Sequence, residues 1–303
     1  MHGFGEELFA PANGIELCYQ ETGDPDGEPL LMVMGLATQM IAWPEELCEM
    51  LAERGYRVVR FDNRDIGRST RIDSAGMPGK LAMLAGSGKP PYLLRDMAAD
   101  AFGLMDHLGI DSAHLVGASM GGMIVQTAAI ENQARVRSIV SIMSTTGSRR
   151  VGHPSYRTFG LMLGKPPRER EAAIERVIKT FKTIGSPGYP FDEERIREIA
   201  GRSFDRGHSP AGIARQLHAI TASGDRTNAL RKLKVPALVI HGKNDVLVNP
   251  SGGRATAKAI PGARLRLVEG MGHDLPRALW PDFADEIAAS AARAPEGATA
   301  PIA

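Results

Sequence analysis

The chain has 303 residues, 43% of them hydrophobic and 23% charged, a composition suited to a soluble globular protein with one large α/β domain or two small ones. Thirty-six basic against 35 acidic residues leave a formal net charge of +1 and hence no electrostatic footprint for nucleic acid or an anionic membrane. Two cysteines, Cys18 and Cys48, exclude a disulfide framework and lie in no metal-ligand spacing, as expected of reduced thiols in a cytoplasmic protein.

The N-terminal Met1-His2-Gly3-Phe4-Gly5 lacks the basic start and apolar run of a secretory signal. No stretch approaches the ~18–20 uninterrupted apolar residues of a membrane span. Ile15–Gln20 alternates as a strand near a sheet edge, and Leu30–Met34 is an apolar run suited to a strand covered on both faces. Pro44–Arg54 has helical spacing, stopped by Gly55, and Tyr56–Phe61 reads as the next strand. Arg95–Leu108 is an amphipathic helix, Ala113–Val116 a buried strand, Met120–Glu131 a helix and Val136–Met143 a further strand. From about Ser144 to Asn228 the chain carries helical patterns, prolines and basic residues without a convincing strand. Alternation resumes with strands at Ala237–His241 and Arg264–Val268 and a closing helix at Ala278–Ala292; the Ala-, Pro- and Gly-rich tail from about Arg293 is expected to fray. Alternating strand and helix predicts a mostly parallel sheet with helices on both faces. The expected organisation is a core of residues 1–143 and 229–303, interrupted by a helical cap at 144–228.

Ser119 lies in Gly117-Ala118-Ser119-Met120-Gly121, between a buried strand and a helix. A sharp turn there needs glycines for close packing and presents the hydroxyl to solvent, at a helix N-terminus that favours developing negative charge. An ordinary N-cap serine is the competing explanation. A serine hydroxyl needs a base, and of eight histidines most have structural explanations. His273 differs: it follows a strand, in the glycine-rich loop Gly270-Met271-Gly272-His273-Asp274. Asp245 follows the preceding strand and could accept the imidazole Nδ1–H. A loop histidine and a turn aspartate are each common alone; their occurrence together after successive strands points to a relay. By position, the backbone N–H groups of Met120 and of Leu36, after the strand Leu30–Met34, are the expected oxyanion donors.

These residues resemble a known family. Gly117–Gly122, Phe61-Asp62-Asn63-Arg64-Asp65-Ile66-Gly67-Arg68-Ser69 and Gly270–His273 look like signatures of the α/β-hydrolase family, over roughly residues 13–145 and 230–290. Met34-Gly35 followed by Trp43-Pro44 resembles the aclacinomycin methylesterase subgroup, which removes methyl from a polyketide carboxymethyl ester; macrolide-ring esterases are similar too. The resemblance implies an α/β-hydrolase fold and a cofactor-free, metal-free mechanism in which Ser119 is nucleophile, His273 base and Asp245 acid. Many relatives have His-Gly where this chain has Met34-Gly35, a change that leaves the backbone donor but removes a polar group beside it. The segment 62–69 reads as a structural turn bordering the site. Met83, Met123, Met143 and Met162 suit adaptable core, while a few methionines of the insert, with Phe159 and Tyr156, are candidates for lining an apolar pocket. The expected partner is a small-molecule ester, medium or bulky and largely apolar, a methyl ester or lactone included. Alternatives on the same triad are a cofactor-free perhydrolase or haloperoxidase and a carbon–carbon bond hydrolase; a non-catalytic binding scaffold is the third. Oligomeric state is left open.

Overall fold

The computed structural model describes residues 4–79, 83, 86–158 and 167–295. Its centre is an eight-stranded sheet in the order β1-β2-β4-β3-β5-β6-β7-β8. β1 (Leu8–Ala12) and β2 (Ile15–Thr22) form an antiparallel hairpin, and β2 also pairs antiparallel with β4 (Tyr56–Phe61). All remaining pairings, through β3 (Glu28–Val33), β5 (Ala113–Ala118), β6 (Val136–Ile142), β7 (Ala237–Gly242) and β8 (Arg264–Val268), are parallel. The sheet is therefore mostly parallel, as the alternating pattern predicts. β5 and β7 are buried at every position, consistent with strands covered on both faces.

One face is covered by α2 (Leu94–His107), α3 (Met120–Glu131) and α8 (Ser251–Ala259), whose apolar side chains pack in one cluster with Leu31, Val33, Leu115 and Ile139. The other carries α1 (Glu45–Ala52) and α9 (Trp280–Ala291), packed with Leu30, Met32, Val116, Val140 and Leu238. Between β6 and β7 lie α4 (Arg170–Ile184), α5 (Glu193–Arg206), α6 (Pro210–Ser223) and α7 (Thr227–Leu230). Among the described residues no helix is long and apolar enough to cross a membrane, and no group of side chains is arranged to hold a metal ion. Cys18 and Cys48 are free and fully buried; burial, foremost, pushes both thiols up to about 12.

Two elements depart from the sequence reading. β1 is cut by Pro11 and shows little apolar periodicity, yet Asn13 and Gly14, with φ of 49° and 77°, make the two-residue hairpin turn that pairs it with β2. α8 contains Gly252 and Gly253, poor helix formers. The helix nevertheless packs so closely that a Cβ on Gly253 would lie 2.5 Å from the ring Nδ1 of His241.

Candidate active site

The carboxyl ends of the parallel strands share one edge, and the loops leaving it carry the candidate residues, where open α/β sheets place their ligands. Five non-glycine residues among those described have positive φ, and four of them, Ala37, Asp65, Ser119 and Met143, follow β3, β4, β5 and β6. Such backbone strain gathers where the surrounding structure over-determines a site.

Ser119 occupies the turn from β5 into α3 with φ 55° and ψ −117°. Both flanking glycines are required by contact: a Cβ on Gly117 would lie 2.2 Å from Gly121 O, and one on Gly121 2.0 Å from Val33 O. Gly35 lets the loop after β3 approach, since a Cβ there would sit 3.0 Å from Ser119 Cβ. The amides of Met120 and Leu36 follow at the start of α3 and in that loop; neither donates to a protein acceptor among the described residues.

The structure brings Ser119, His273 and Asp245 together. His273 Nε2 lies 3.0 Å from Ser119 Oγ, and its Nδ1 lies 2.7 Å from Asp245 Oδ2. Asp245 Oδ1 accepts the backbone N–H groups of Leu247 and Val248 at 2.9 and 2.8 Å. Burial raises the cost of this carboxylate, but the charge of His273 and hydrogen bonds from His241 and His273 outweigh it, holding the group down to about 2. With Asp245 ionised, the imidazole carries its proton on Nδ1 and presents the Nε2 lone pair to the hydroxyl of Ser119.

His241, read from sequence as structural, is fully buried; its Nε2–H donates to Val248 O at 2.7 Å and lies 3.3 Å from Asp245 Oδ2, so it supports the acid. His114 and His218 are engaged elsewhere, with Ser138 Oγ at 2.7 Å and Ser87 O at 2.9 Å. Met34 is nearly buried and its carbonyl accepts Asn63 Nδ2–H at 2.9 Å. Of the candidates for a pocket lining, Tyr156 is instead 75% exposed. Phe159 and Met162 lie outside the described residues.

The segment 62–69 is a structural turn that binds the α4–α7 segment through buried acids. Asp65 receives Arg215 of α6 at 2.6 and 2.8 Å, with both side chains fully buried. Asp62 accepts Met40 N–H at 2.8 Å and Arg206 of α5 at 2.8 Å. At the opposite side, His273 N–H donates to Ile184 O at 2.7 Å and Gly272 N–H to Ser186 Oγ at 2.8 Å, while Ser186 Oγ also bonds Asp274. No sequence motif marks these contacts, because their partners come from the least patterned part of the chain.

A sequence model described as the alpha/beta hydrolase fold matches residues 28–277. The chain belongs to the α/β-hydrolase fold family. It is similar to rhodomycin D methylesterase DnrP of Streptomyces peucetius, 30% identical with 91% of this chain and 94% of that protein covered. It is also similar to the non-heme haloperoxidase of Rhodococcus erythropolis, 26% identical with 87% and 91% covered. Among solved structures, the esterase RhEst1 from Rhodococcus sp. ECU1013 superposes with a TM-score of 0.71 at 21% identity, with 96% of this chain and 99% of that chain covered. The enol-lactonase of Burkholderia xenovorans LB400 does so with 0.69 at 24% identity, with 94% and 100% covered. At those identities the structural likeness concerns the fold.

Proposed function

We propose that this protein, a carboxylic ester hydrolase by class, cleaves a medium or bulky, largely apolar ester by a Ser119–His273–Asp245 relay through an acyl-enzyme. The observation that carries the reading is the continuous line from hydroxyl to imidazole to carboxylate, 3.0 and 2.7 Å per step, built on a strained serine at the sheet's carboxyl edge. His273 Nε2 takes the Ser119 proton as Oγ bonds the acyl carbon. The N–H groups of Leu36 and Met120 donate to the resulting oxyanion. As the carbonyl re-forms, the alkoxide leaves with the proton from Nε2, and water, deprotonated by the same nitrogen, attacks the acyl-enzyme and releases the acid and Ser119. Asp245 stays ionised and stabilises the imidazolium. The helices at 144–228 act as a cap that shapes the acyl and alcohol pockets.

Similarity to a methylesterase over nine-tenths of both chains favours a methyl ester of a polycyclic acid as the substrate class. An ester panel running from aryl butyrates through macrolactones to polycyclic methyl esters tests this, with Ser119→Ala as control. The expected result is turnover by the native protein, lost in Ser119→Ala. Undiminished turnover by a folded Ser119→Ala protein would falsify the mechanism. Cofactor-free perhydrolysis is a second reading, supported by the similarity to a non-heme haloperoxidase. Peroxide-dependent bromination exceeding ester turnover would favour it.

A further inference from the structure

The loop proposed to supply one oxyanion donor is gripped by a side chain 179 positions farther along the chain. Gln216, on α6, is fully buried, and its carboxamide spans two core loops. Its Oε1 accepts the N–H of Ala37 at 3.2 Å, and its Nε2–H donates to the carbonyl of Arg64 at 2.9 Å. Ala37 has φ 61°, a left-handed conformation that a non-glycine residue adopts only when held. The peptide unit joining Leu36 to Ala37 adjoins the one that carries the Leu36 N–H. Fixing it limits how the Leu36 amide can rotate away from Ser119. The same stretch is anchored before Gly35 by Asn63 on Met34 O at 2.9 Å, and from within by Thr38 Oγ1 on Leu36 O at 3.0 Å. The Gln216 clamp comes from the helical insert, which also holds the side chain of Gln39, farther along the loop, through the carbonyls of Ser203 and Gly207 at 2.6 and 2.9 Å.

Its placement is enforced by its neighbours. Arg215 pairs with Asp65 in full burial, and a Cβ on Gly212 would meet Asp65 O at 2.3 Å, so α6 lies directly on the turn that follows β4. A carboxamide suits this position because it supplies one acceptor and one donor without charge. An apolar replacement would leave Ala37 N–H and Arg64 O without their side-chain partner.

We infer that Gln216 is a positioning residue that holds the Leu36 amide in oxyanion-binding orientation, so that docking of the insert completes the hole. The inference rests on the assignment of Leu36 as a donor to the oxyanion of ester hydrolysis. Gln216 touches no reacting atom; it acts through the Ala37 peptide.

The test compares native protein with Gln216→Met, which removes both hydrogen bonds, and Gln216→Glu, which keeps an acceptor for Ala37. Three quantities are measured for each: kcat and KM on p-nitrophenyl butyrate, Ki for an aryl trifluoromethyl ketone whose serine adduct carries an oxyanion, and Tm. Gln216→Met should lower kcat about 10–100-fold, part of the effect of losing an oxyanion donor outright, with KM changed less than about threefold. Ki should rise in step with the loss in kcat, and Gln216→Glu should fall between the two proteins. A purely structural role would instead lower Tm and the titrated active fraction, leaving kcat per active site and Ki untouched. Should Gln216→Met not fold, Gln216→Glu decides by the same parallel shift of kcat and Ki. Native kcat and Ki in a folded variant overturn the inference but spare the esterase reading, whereas a native protein inert toward every ester removes both.

Discussion

Ser119 combines a strained backbone with a hydroxyl aimed at His273, and each half depends on a different contact. The strain is maintained by Gly117 and Gly121, which let α3 press onto β3 and β5. Gly121→Ala is expected to destabilise the fold by about 1–3 kcal/mol or more, because the obstacle is backbone and cannot swing aside; urea denaturation measures it. Asp245→Asn should lower Tm, since the ionised acid contributes to stability, and lower kcat in the folded protein by about three to four orders of magnitude, through the wrong imidazole tautomer. The pH profile follows from the same acid. A carboxyl held down to about 2 when folded is more acidic than in the unfolded chain, with its ordinary 3.8. Its contribution to stability is therefore complete above that ordinary value and disappears as pH falls through about 2. Protonation of Asp245 should therefore add no step to the kcat/KM profile above about pH 3, and a step from this carboxyl near its ordinary 3.8 would contradict its placement. These residues were legible in the sequence because each follows a strand pattern in a glycine-marked loop. Gln216 was not: its partner Ala37 is 179 positions away, and a glutamine inside an amphipathic helix carries no local mark.

Helix α6 and the turn after β4 form a close joint between the insert and the sheet. The Arg215–Asp65 pair within it is buried on both sides, so loss of one partner strands a charge. Arg215→Met is expected to cost about 3–5 kcal/mol by denaturant unfolding, and Asp65→Asn in the same protein should recover part of that loss. The pair of Arg170 with Asp205, by contrast, is open to solvent, and its removal should leave the denaturant midpoint nearly unchanged. The strands and helices that the sequence pattern predicts in the core lie within two residues of their observed bounds, since parallel strands buried on both faces leave unbroken apolar runs such as Leu30, Leu31, Met32 and Val33. β1 leaves little trace in the sequence because an edge strand with Pro11 has one face to fill; its local mark is the Asn13-Gly14 turn. α8 leaves little trace because Gly252 and Gly253 favour a helix poorly, and its contact with β7 holds it in place.

Across the molecule, attachments of the insert border the candidate site at Asp62 and Asp65, at the loop holding Ala37 and at the loop carrying His273, and others lie elsewhere, such as Leu94 N–H on Ser223 Oγ at 3.0 Å and Arg206 with Glu7. Attachments this dense predict that insert and sheet unfold together, giving one calorimetric transition with equal van't Hoff and calorimetric enthalpies. A separate low-temperature transition would mean the helices detach on their own. The burial of Cys18 and Cys48 has a practical consequence for watching such motion. Thiols pushed up to about 12 and shielded from solvent are poor nucleophiles toward maleimides. The native background is therefore silent, and a single cysteine introduced at a half-open position such as Phe191, which is 39% exposed, would carry a fluorophore onto the insert alone. Neither natural cysteine would need replacing first.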